Sequence, residues 1–255
     1  MQEMTMQKVS VIVPVYNGVS YIEKNLLRLH RYLESCFDSF EIIVIDDGSV
    51  DGTLGVLQKL SVPVVLLHRK DNRGKGTTVK EGMLSASGDC RVFIDADLPF
   101  DLKVIPYAVD LIRKHDYHIV VGDRTLPHSI YASGLTLLRR KGSKIFSFFV
   151  RLLVTGGLFD TQCGFKAFRG DIARALFPLL TSPGFSFDVE LLYIALKYNM
   201  VIRRIPVKFK SSSISTISPL FTGIEMIKGI GSLRSNWNKG MYKNEYLEKT
   251  CGIDY

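Results

Sequence analysis

Along the first half of the chain, short apolar runs alternate with stretches in which apolar residues recur every three or four positions. The runs are VSVIVPV (Val9 to Val15), EIIVI (Glu41 to Ile45), VPVVLL (Val62 to Leu67), CRVFI (Cys90 to Ile94) and HIVV (His118 to Val121). They are β-branched and nearly continuous, as strands buried on both faces of a parallel sheet are. Between the first two runs, Ile22, Leu26, Leu29 and Leu33 fall at helical spacing, with Asn17 and Ser20 as candidate caps. The pattern predicts a second helix that Asp51 or Thr53 caps and that ends near Leu60, a third from Thr77 to Ser85, and a fourth from Leu102 to His115. Alternating strands and helices imply an α/β fold: a mostly parallel central sheet flanked by helices, with right-handed crossovers.

Beyond this the pattern changes. Between Arg124 and Phe159 there is no Asp or Glu, while Arg124, Arg139, Arg140, Lys141, Lys144 and Arg151 are interspersed with large apolar residues such as Leu137, Ile145, Phe148 and Leu152. Such a segment suits a membrane interface or, equally, a core helix with a solvated basic side. SSSISTIS (Ser211 to Ser218) is small and polar and reads as a mobile loop. A second amphipathic stretch follows through Leu220, Phe221, Ile224 and Ile227, and a polar, tyrosine-rich tail begins at Trp237. The expected division is a catalytic domain over 1–210, including the basic segment 124–159, and a loop, amphipathic helix and tail over 211–255.

Composition narrows the class. At 46% hydrophobic and 11% aromatic the chain is too apolar to be disordered. Four cysteines (Cys36, Cys90, Cys163, Cys251) lie far apart with no CxxC pair, which fits a reduced cytosolic chain and argues against a zinc site. No apolar run is long enough to span a bilayer, and the N-terminus lacks a signal-peptide core. Thirty-three Lys and Arg against twenty-five Asp and Glu give +8, which points to an anionic partner: nucleic acid, a membrane face or a phosphorylated substrate. No basic–aromatic repeat or reader motif supports nucleic acid.

Three polar features fall at ends of predicted strands, where open α/β sheets bind ligands. IDDGSVDGT (Ile45 to Thr53) follows the second strand; Asp46 and Asp47 can accept hydrogen bonds from a base edge or ribose hydroxyls, and Gly48 lets the chain turn sharply. NRGKG (Asn72 to Gly76) follows the third; its glycines permit close backbone approach, and Lys75 can meet phosphate. It lacks the P-loop spacing, and PVYNG stands where a dinucleotide fingerprint would begin. DAD (Asp95 to Asp97) follows the fourth; two carboxylates so close repel unless a cation separates them or one is protonated, and Mg²⁺ or Mn²⁺ takes oxygen ligands of this kind.

PVYNG, IDDGSVDGT, NRGKG and DADL, in this order, resemble the inverting family 2 glycosyltransferases of the GT-A nucleotide-diphospho-sugar transferase fold. DTQCGFKAF (Asp160 to Phe168) and GFSFDVELL (Gly184 to Leu192) resemble the branch that glucosylates dolichyl phosphate, with the mannose-transferring branch as its near relative. The resemblance covers roughly residues 8 to 210. It implies C-terminal amphipathic helices, a nucleotide pocket lined by Pro14, Tyr16 and Asn17, and a base and ribose held by Asp46 and Asp47. Asp97 would be the main metal ligand, with Asp95 assisting. Arg124, and either Arg139 or Arg140, would face phosphates. Asp160, Gln162 and Lys166 would line the sugar and acceptor site, with Asp188 and Glu190 as the acidic pair of the last block; Asp160 and Asp188 also fit helix caps.

The activity so implied is metal-dependent hexosyl transfer from a nucleotide sugar to a polyprenyl or dolichyl phosphate, giving a β-linked product. The DTQCGFK block leans toward glucose, hence UDP-glucose. Pro99 follows DADL where the mannose-transferring branch carries Gln, and GDP-mannose, or a polysaccharide acceptor, is the alternative. The implied setting is the cytoplasmic membrane face, reached by the amphipathic stretches or through a separate anchor subunit.

Overall fold

The computed structural model describes residues 8–129, 160–208 and 232–251. The elements in chain order are β1 (Val9–Val15), α1 (Ile22–Glu34), β2 (Phe40–Asp46), α2 (Thr53–Leu57), β3 (Val65–His68), α3 (Lys75–Ser85), β4 (Cys90–Ile94), α4 (Val104–His115), β5 (Ile119–Asp123), β6 (Phe165–Arg169), α5 (Gly170–Leu176), α6 (Phe187–Lys197), β7 (Ile202–Pro206) and α7 (Glu245–Cys251). The seven strands form one sheet in the order β3-β2-β1-β4-β6-β5-β7. β6 runs antiparallel to both its neighbours, and the other pairings are parallel.

Strand alternation divides the core. Val9, Val11, Val13 and Val15 of β1 pack with Leu26, Leu29 and Leu33 of α1 and with Ile105 and Ala108 of α4 on one face. Ile12, Ile43, Ile45 and Phe93 point the other way, onto Val79 and Met83 of α3 and the apolar sides of α5 and α6. The chain steps from β1 to β2 in one direction and from β3 to β4 in the other. Right-handed crossovers therefore place α1 and α3 on opposite faces. The order reverses between β1 and β4, opening a crevice at their carboxyl ends. Because β6 is antiparallel, its first residue and the chain before it lie at that same edge.

Several boundaries differ from the sequence pattern. α1 has no side-chain cap: Tyr21 occupies the cap position, and Asn17 and Ser20 do not cap it. α2 stops at Leu57, short of Leu60, and α3 starts at Lys75, a half-turn before Thr77. β3 begins at Val65, after Pro63, because a proline has no N–H for a ladder. The tail from Trp237 is not a polar appendage. Leu233, Tyr242 and Leu247 are buried in the second core cluster, and Trp237 packs against Tyr193 and Tyr198 of or beside α6. Most of the basic segment, Ser211 to Ser218 and the second amphipathic stretch lie outside the described residues.

The amino ends of β1, β2 and β4 are tied by one carboxylate. Glu41 accepts hydrogen bonds from Lys8 Nζ (2.8 Å), Ser10 Oγ (2.5 Å), and the N–H and Oγ of Ser87 (2.8 and 2.9 Å). Burial pushes its carboxyl up, but these donors outweigh it and hold the group at about 2. A depressed value in the folded state means stability that is present above the unfolded value of 4.5 and lost as pH falls toward 2. Glu41→Gln is therefore expected to cost about 1–3 kcal/mol at pH 7 and to flatten the stability loss across that acid window. Urea titrations of both proteins at neutral and acid pH measure it.

Candidate active site

The crevice between β1 and β4 is floored by two loops sewn together. Asn17, at φ 52°, takes a left-handed conformation that Asn tolerates. Its N–H donates to Ser49 Oγ (2.8 Å), and its Oδ1 accepts from Val50 N (2.9 Å). Gly18 N donates to Thr53 Oγ1 (2.8 Å) and Val19 N to Asp51 Oδ2 (3.1 Å). PVYNG and DDGSVDGT are thus one rigid unit. Tyr16 is half-exposed at its rim and Pro14 partly buried beneath.

Asp46 and Asp47 carry internal bonds here. Asp46 Oδ1 accepts from Ser49 N (3.1 Å), and Oδ2 lies 3.0 Å from His68 Nδ1. Asp47 accepts from Arg69 Nη1 (3.0 Å), Arg73 N (3.0 Å) and Gly74 N (2.9 Å). Their side chains are 0% and 5% exposed; Asp47 shapes the NRGKG turn, and Asp46 holds its own turn and His68. His68 and Arg69 were not singled out from the sequence. The sheet register, which sets Asp46 beside His68, is the signal that points to them. Gly48, at φ 76°, is needed because a Cβ would lie 2.7 Å from the Asp71 carbonyl carbon.

At the end of β4 the DAD turn is held by Asn25 Nδ2, which donates to Ala96 O (2.9 Å), and by Asp95 N, which donates to Gly164 O (3.1 Å). Leu98 completes it at φ 44°. Lys75 Nζ lies 2.6 Å from Asp95 Oδ1, and 5.2 and 5.7 Å from the ring centres of Phe93 and Phe185. Burial lowers the affinity of Lys75 for its proton, but Asp95, Asp188 and Asp97 more than compensate and raise it, so the ammonium is charged. Tyr21 joins this group. Burial, then Asp97, Asp51 and Asp95, push its hydroxyl up and keep it protonated.

Lys166 and Asp188 form a second pair behind the first. Both are buried, with Nζ 2.6 Å from Asp188 Oδ1. Lys166 also donates to Cys163 O (2.8 Å), and Asp188 Oδ1 meets the ammonium as an ion pair. Burial pushes the Asp188 carboxyl up, against the pull of Lys166 and Lys75. Asp188 lies in the first turn of α6, behind Phe187, and does not cap it.

On the β5 side, Arg124 grips Asp160 through N (2.8 Å), Nε (2.7 Å) and Nη2 (2.7 Å). Burial raises the Asp160 carboxyl, but the bonds and charge of Arg124 reverse this and hold it below the usual carboxylate range. The neighbouring Asp123, missed from the sequence, accepts from Thr125 N (2.7 Å) and Oγ1 (2.6 Å) and from Arg204 Nε (2.7 Å). Gln162 is half-buried in the block before β6. Glu190 sits apart. It is fully buried and bonded to Thr181, Ser182 and Tyr242, because α6 turns it into the core rather than toward an acceptor. Arg139 and Arg140 lie outside the described residues.

Asp95 and Asp97 fit a hard divalent cation. Both are carboxylates on one tight turn, both partly exposed, and among the described residues no group of three or more His, Cys, Asp or Glu could hold a metal alone. One or two carboxylates completed by substrate phosphates is the set Mg²⁺ takes.

A seven-stranded sheet with acidic turns at the β1/β4 switch point defines a nucleotide-sugar transferase of the GT-A class. Solved structures share this fold. Glucosyl-3-phosphoglycerate synthase from Mycobacterium tuberculosis in complex with uridine diphosphate matches over 98% of this chain and 82% of its own, with TM-score 0.66 and 19% identity. Mannosyl-3-phosphoglycerate synthase from Rubrobacter xylanophilus matches over 92% and 75%, with TM-score 0.67 and 16% identity. The sequence profile of glycosyl transferase family 2 matches residues 10–177, and the chain belongs to that family. Among characterised relatives, the dolichyl-phosphate beta-glucosyltransferase of Dictyostelium discoideum is 36% identical over 92% of this chain and 76% of its own length. The Homo sapiens protein of the same name is 29% identical over 95% and 80%.

The buried pair gives a test of the site's electrostatics. Lys166→Met strands a buried carboxylate and is expected to cost about 3–5 kcal/mol, whereas Lys166→Met with Asp188→Leu recovers most of that loss. Denaturant titration of these two variants and of Asp188→Leu alone closes the cycle; single losses that add up to the double loss would mean the pair is not coupled.

Proposed function

We propose that the protein transfers glucose from UDP-glucose to dolichyl or a related polyprenyl phosphate, with inversion, at a membrane surface on its cytoplasmic side. The observation that carries this reading is the 36% identity to a dolichyl-phosphate beta-glucosyltransferase across 92% of the chain. The cleft's chemistry supports it. Contact with the lipid is assigned to the basic segment 124–159, rich in Arg and Lys with no Asp or Glu, or to a separate anchor subunit. Each cation near an anionic surface contributes about 1 kcal/mol.

A phosphate monoester has its second pKa near 6, so the acceptor arrives ionised and needs no dedicated base. Its oxygen attacks the anomeric carbon on the face opposite UDP. The bond from that carbon to the diphosphate oxygen breaks, UDP leaves with the electron pair, and the α-linked donor becomes a β-linked lipid phosphate. Asp97 and Asp95 would hold Mg²⁺ or Mn²⁺, which when bound would offset the diphosphate charge. Lys75, charged and beside Asp95, places a cation on the donor side. Arg124, locked by Asp160, places one on the acceptor side, with Arg139 or Arg140 from the basic segment as the second. Asp160, held below the usual carboxylate range, is a weak base and acts by orienting Arg124. Lys166 and Gln162 shape the wall between the two sides. Pro14, Tyr16 and Asn17 form the nucleotide side.

The deciding assay supplies Mn²⁺ or Mg²⁺, polyprenyl phosphate in vesicles, and labelled UDP-glucose or GDP-mannose in parallel. Label is expected in lipid from UDP-glucose, and Asp97→Ala is expected to lose at least a hundredfold in turnover, the loss of a charge-stabilising group at a reacting centre. Lipid label from GDP-mannose alone would reassign the sugar; product only with a soluble acceptor would reject the lipid. Asp160→Asn is expected to lower turnover about tenfold or more through the loosened Arg124. Near-normal turnover in that variant would remove Asp160 from the site.

A further inference from the structure

The family profile ends at Phe177, yet residues beyond it close back on the cleft through one continuous set of hydrogen bonds. The Glu190 carboxylate accepts from Thr181 N (3.0 Å), Thr181 Oγ1 (2.6 Å), Ser182 N (2.8 Å) and Tyr242 Oη (2.7 Å). Tyr242 belongs to the segment 232–251 and is anchored there. Its carbonyl accepts from Tyr198 Oη (2.6 Å), and its hydroxyl also receives Asn236 Nδ2 (3.2 Å). Burial and the Glu190 carboxylate push the Tyr242 hydroxyl up to about 12, so it remains a donor. A buried carboxylate with four donors from two other chain segments is a fixed point.

The turn that Glu190 grips supports the start of α3. Thr77 N donates to Pro183 O (3.2 Å). A Cβ on Gly76 would lie 2.4 Å from Ser182 O, and one on Gly74 would lie 2.6 Å from Pro183 O. The two backbones therefore touch with no room for a side chain, and a shift of the turn must shift α3's first residues. Between those glycines stands Lys75, whose ammonium meets Asp95 at 2.6 Å and lies against the ring of Phe185, which follows the same turn.

We infer that Tyr242 and Glu190 are positioning residues for the donor side of the cleft: together they clamp the turn from Thr181 to Gly184, which fixes where Lys75 meets Asp95. The segment 232–251, outside the family profile, is then part of the site's construction. The inference rests on the reading of Lys75 and Asp95 as donor-side groups. Neither clamp residue touches substrate, so the effect is expected in nucleotide affinity rather than in the chemical step.

The test uses the full chain as wild type, Tyr242→Phe, Thr181→Val, Lys75→Met and the double variant Tyr242→Phe/Lys75→Met. Thr181→Val cuts the next link and serves if Tyr242→Phe folds poorly. Amide hydrogen exchange by mass spectrometry is expected to rise in peptides covering 73–78 and 181–184, with β1 unchanged. UDP binding in the presence of Mn²⁺, by calorimetry, is expected to weaken about fivefold, the equivalent of one hydrogen bond. KM for the donor should rise by the same factor with kcat held. In the Lys75→Met background, Tyr242→Phe should add no further loss. Faster exchange confined to 232–251, or losses from Tyr242→Phe and Lys75→Met that multiply, would overturn the clamp. A wild type that binds no UDP with Mn²⁺ would overturn the donor-side reading and the clamp's role in it; exchange at 73–78 still reports separately whether the turn is held.

Discussion

The handedness of strand-to-strand crossovers constrains everything else in this molecule. With β1 at the centre, the chain first builds outward to β2 and β3, then returns past β1 to β4. Each right-handed step allows one face for its helix, so α1 and α3 must lie on opposite faces and cannot meet over the sheet. The gap that this leaves sits above the carboxyl ends of β1 and β4. Asn17 and the DAD turn occupy its two walls because those are the residues that immediately follow the two strands. The antiparallel β6 then inserts beside β4 and brings the block from Asp160 to Gly164 to the same edge. A Cβ on Gly164 would lie 1.8 Å from Asp95 Oδ2, so the third wall reaches the second at a position where only a hydrogen fits.

Much of this was legible in the sequence for a simple reason. Strands buried on both faces need continuous apolar runs, and five of the seven strands show such runs, although β3, at the sheet edge, is only partly buried. The other two hide. β6 is FKAFR, with Lys166 at its second position, and a buried lysine breaks the run; Asp188 and the Cys163 carbonyl explain why a charge is tolerated there. β7 is IRRIP, an edge strand with Arg204 turned to Asp123. α6 is apolar on nearly every side because it is enclosed by the core and the tail, so it lacks the one-sided stripe that marks a surface helix. The tail reads as polar because few of its residues are buried, and one of them, Tyr242, packs its ring while its hydroxyl donates to Glu190.

The site was legible as residue types and not as partnerships. Motif position brings Asp46, Asp47, Asp95, Asp160 and Glu190 to attention as acids that act on a ligand. The three-dimensional arrangement gives each an internal partner first: His68 for Asp46, Arg69 for Asp47, Lys75 for Asp95, Arg124 for Asp160, and a tyrosine and a turn for Glu190. Sequence spacing cannot supply these pairings, since the partners arrive from other strands through register and crossover. The exception is Asp46 with His68, which sit side by side in adjacent parallel strands.

These pairings bear on how a basic protein handles two anionic reactants. A diffuse surplus of charge would attract phosphates without orienting them. Here Lys75, Lys166, Arg69, Arg124 and Arg204 are each fixed at 2.6 to 3.0 Å from a carboxylate, so each of these cations stands at a fixed place with its charge balanced by a neighbour. Such an arrangement costs little reorganisation when charge moves, because the dipoles and ammonium groups already point where they are needed. It also limits attraction at long range, since paired charges cancel beyond about a Debye length. The net +8 must then be carried largely outside these pairs, and the acid-free sequence from Arg124 to Phe159 is where the chain concentrates it. On the proposed function, the basic residues of that sequence draw the chain toward an anionic surface, and the paired cations of the cleft orient what the surface delivers.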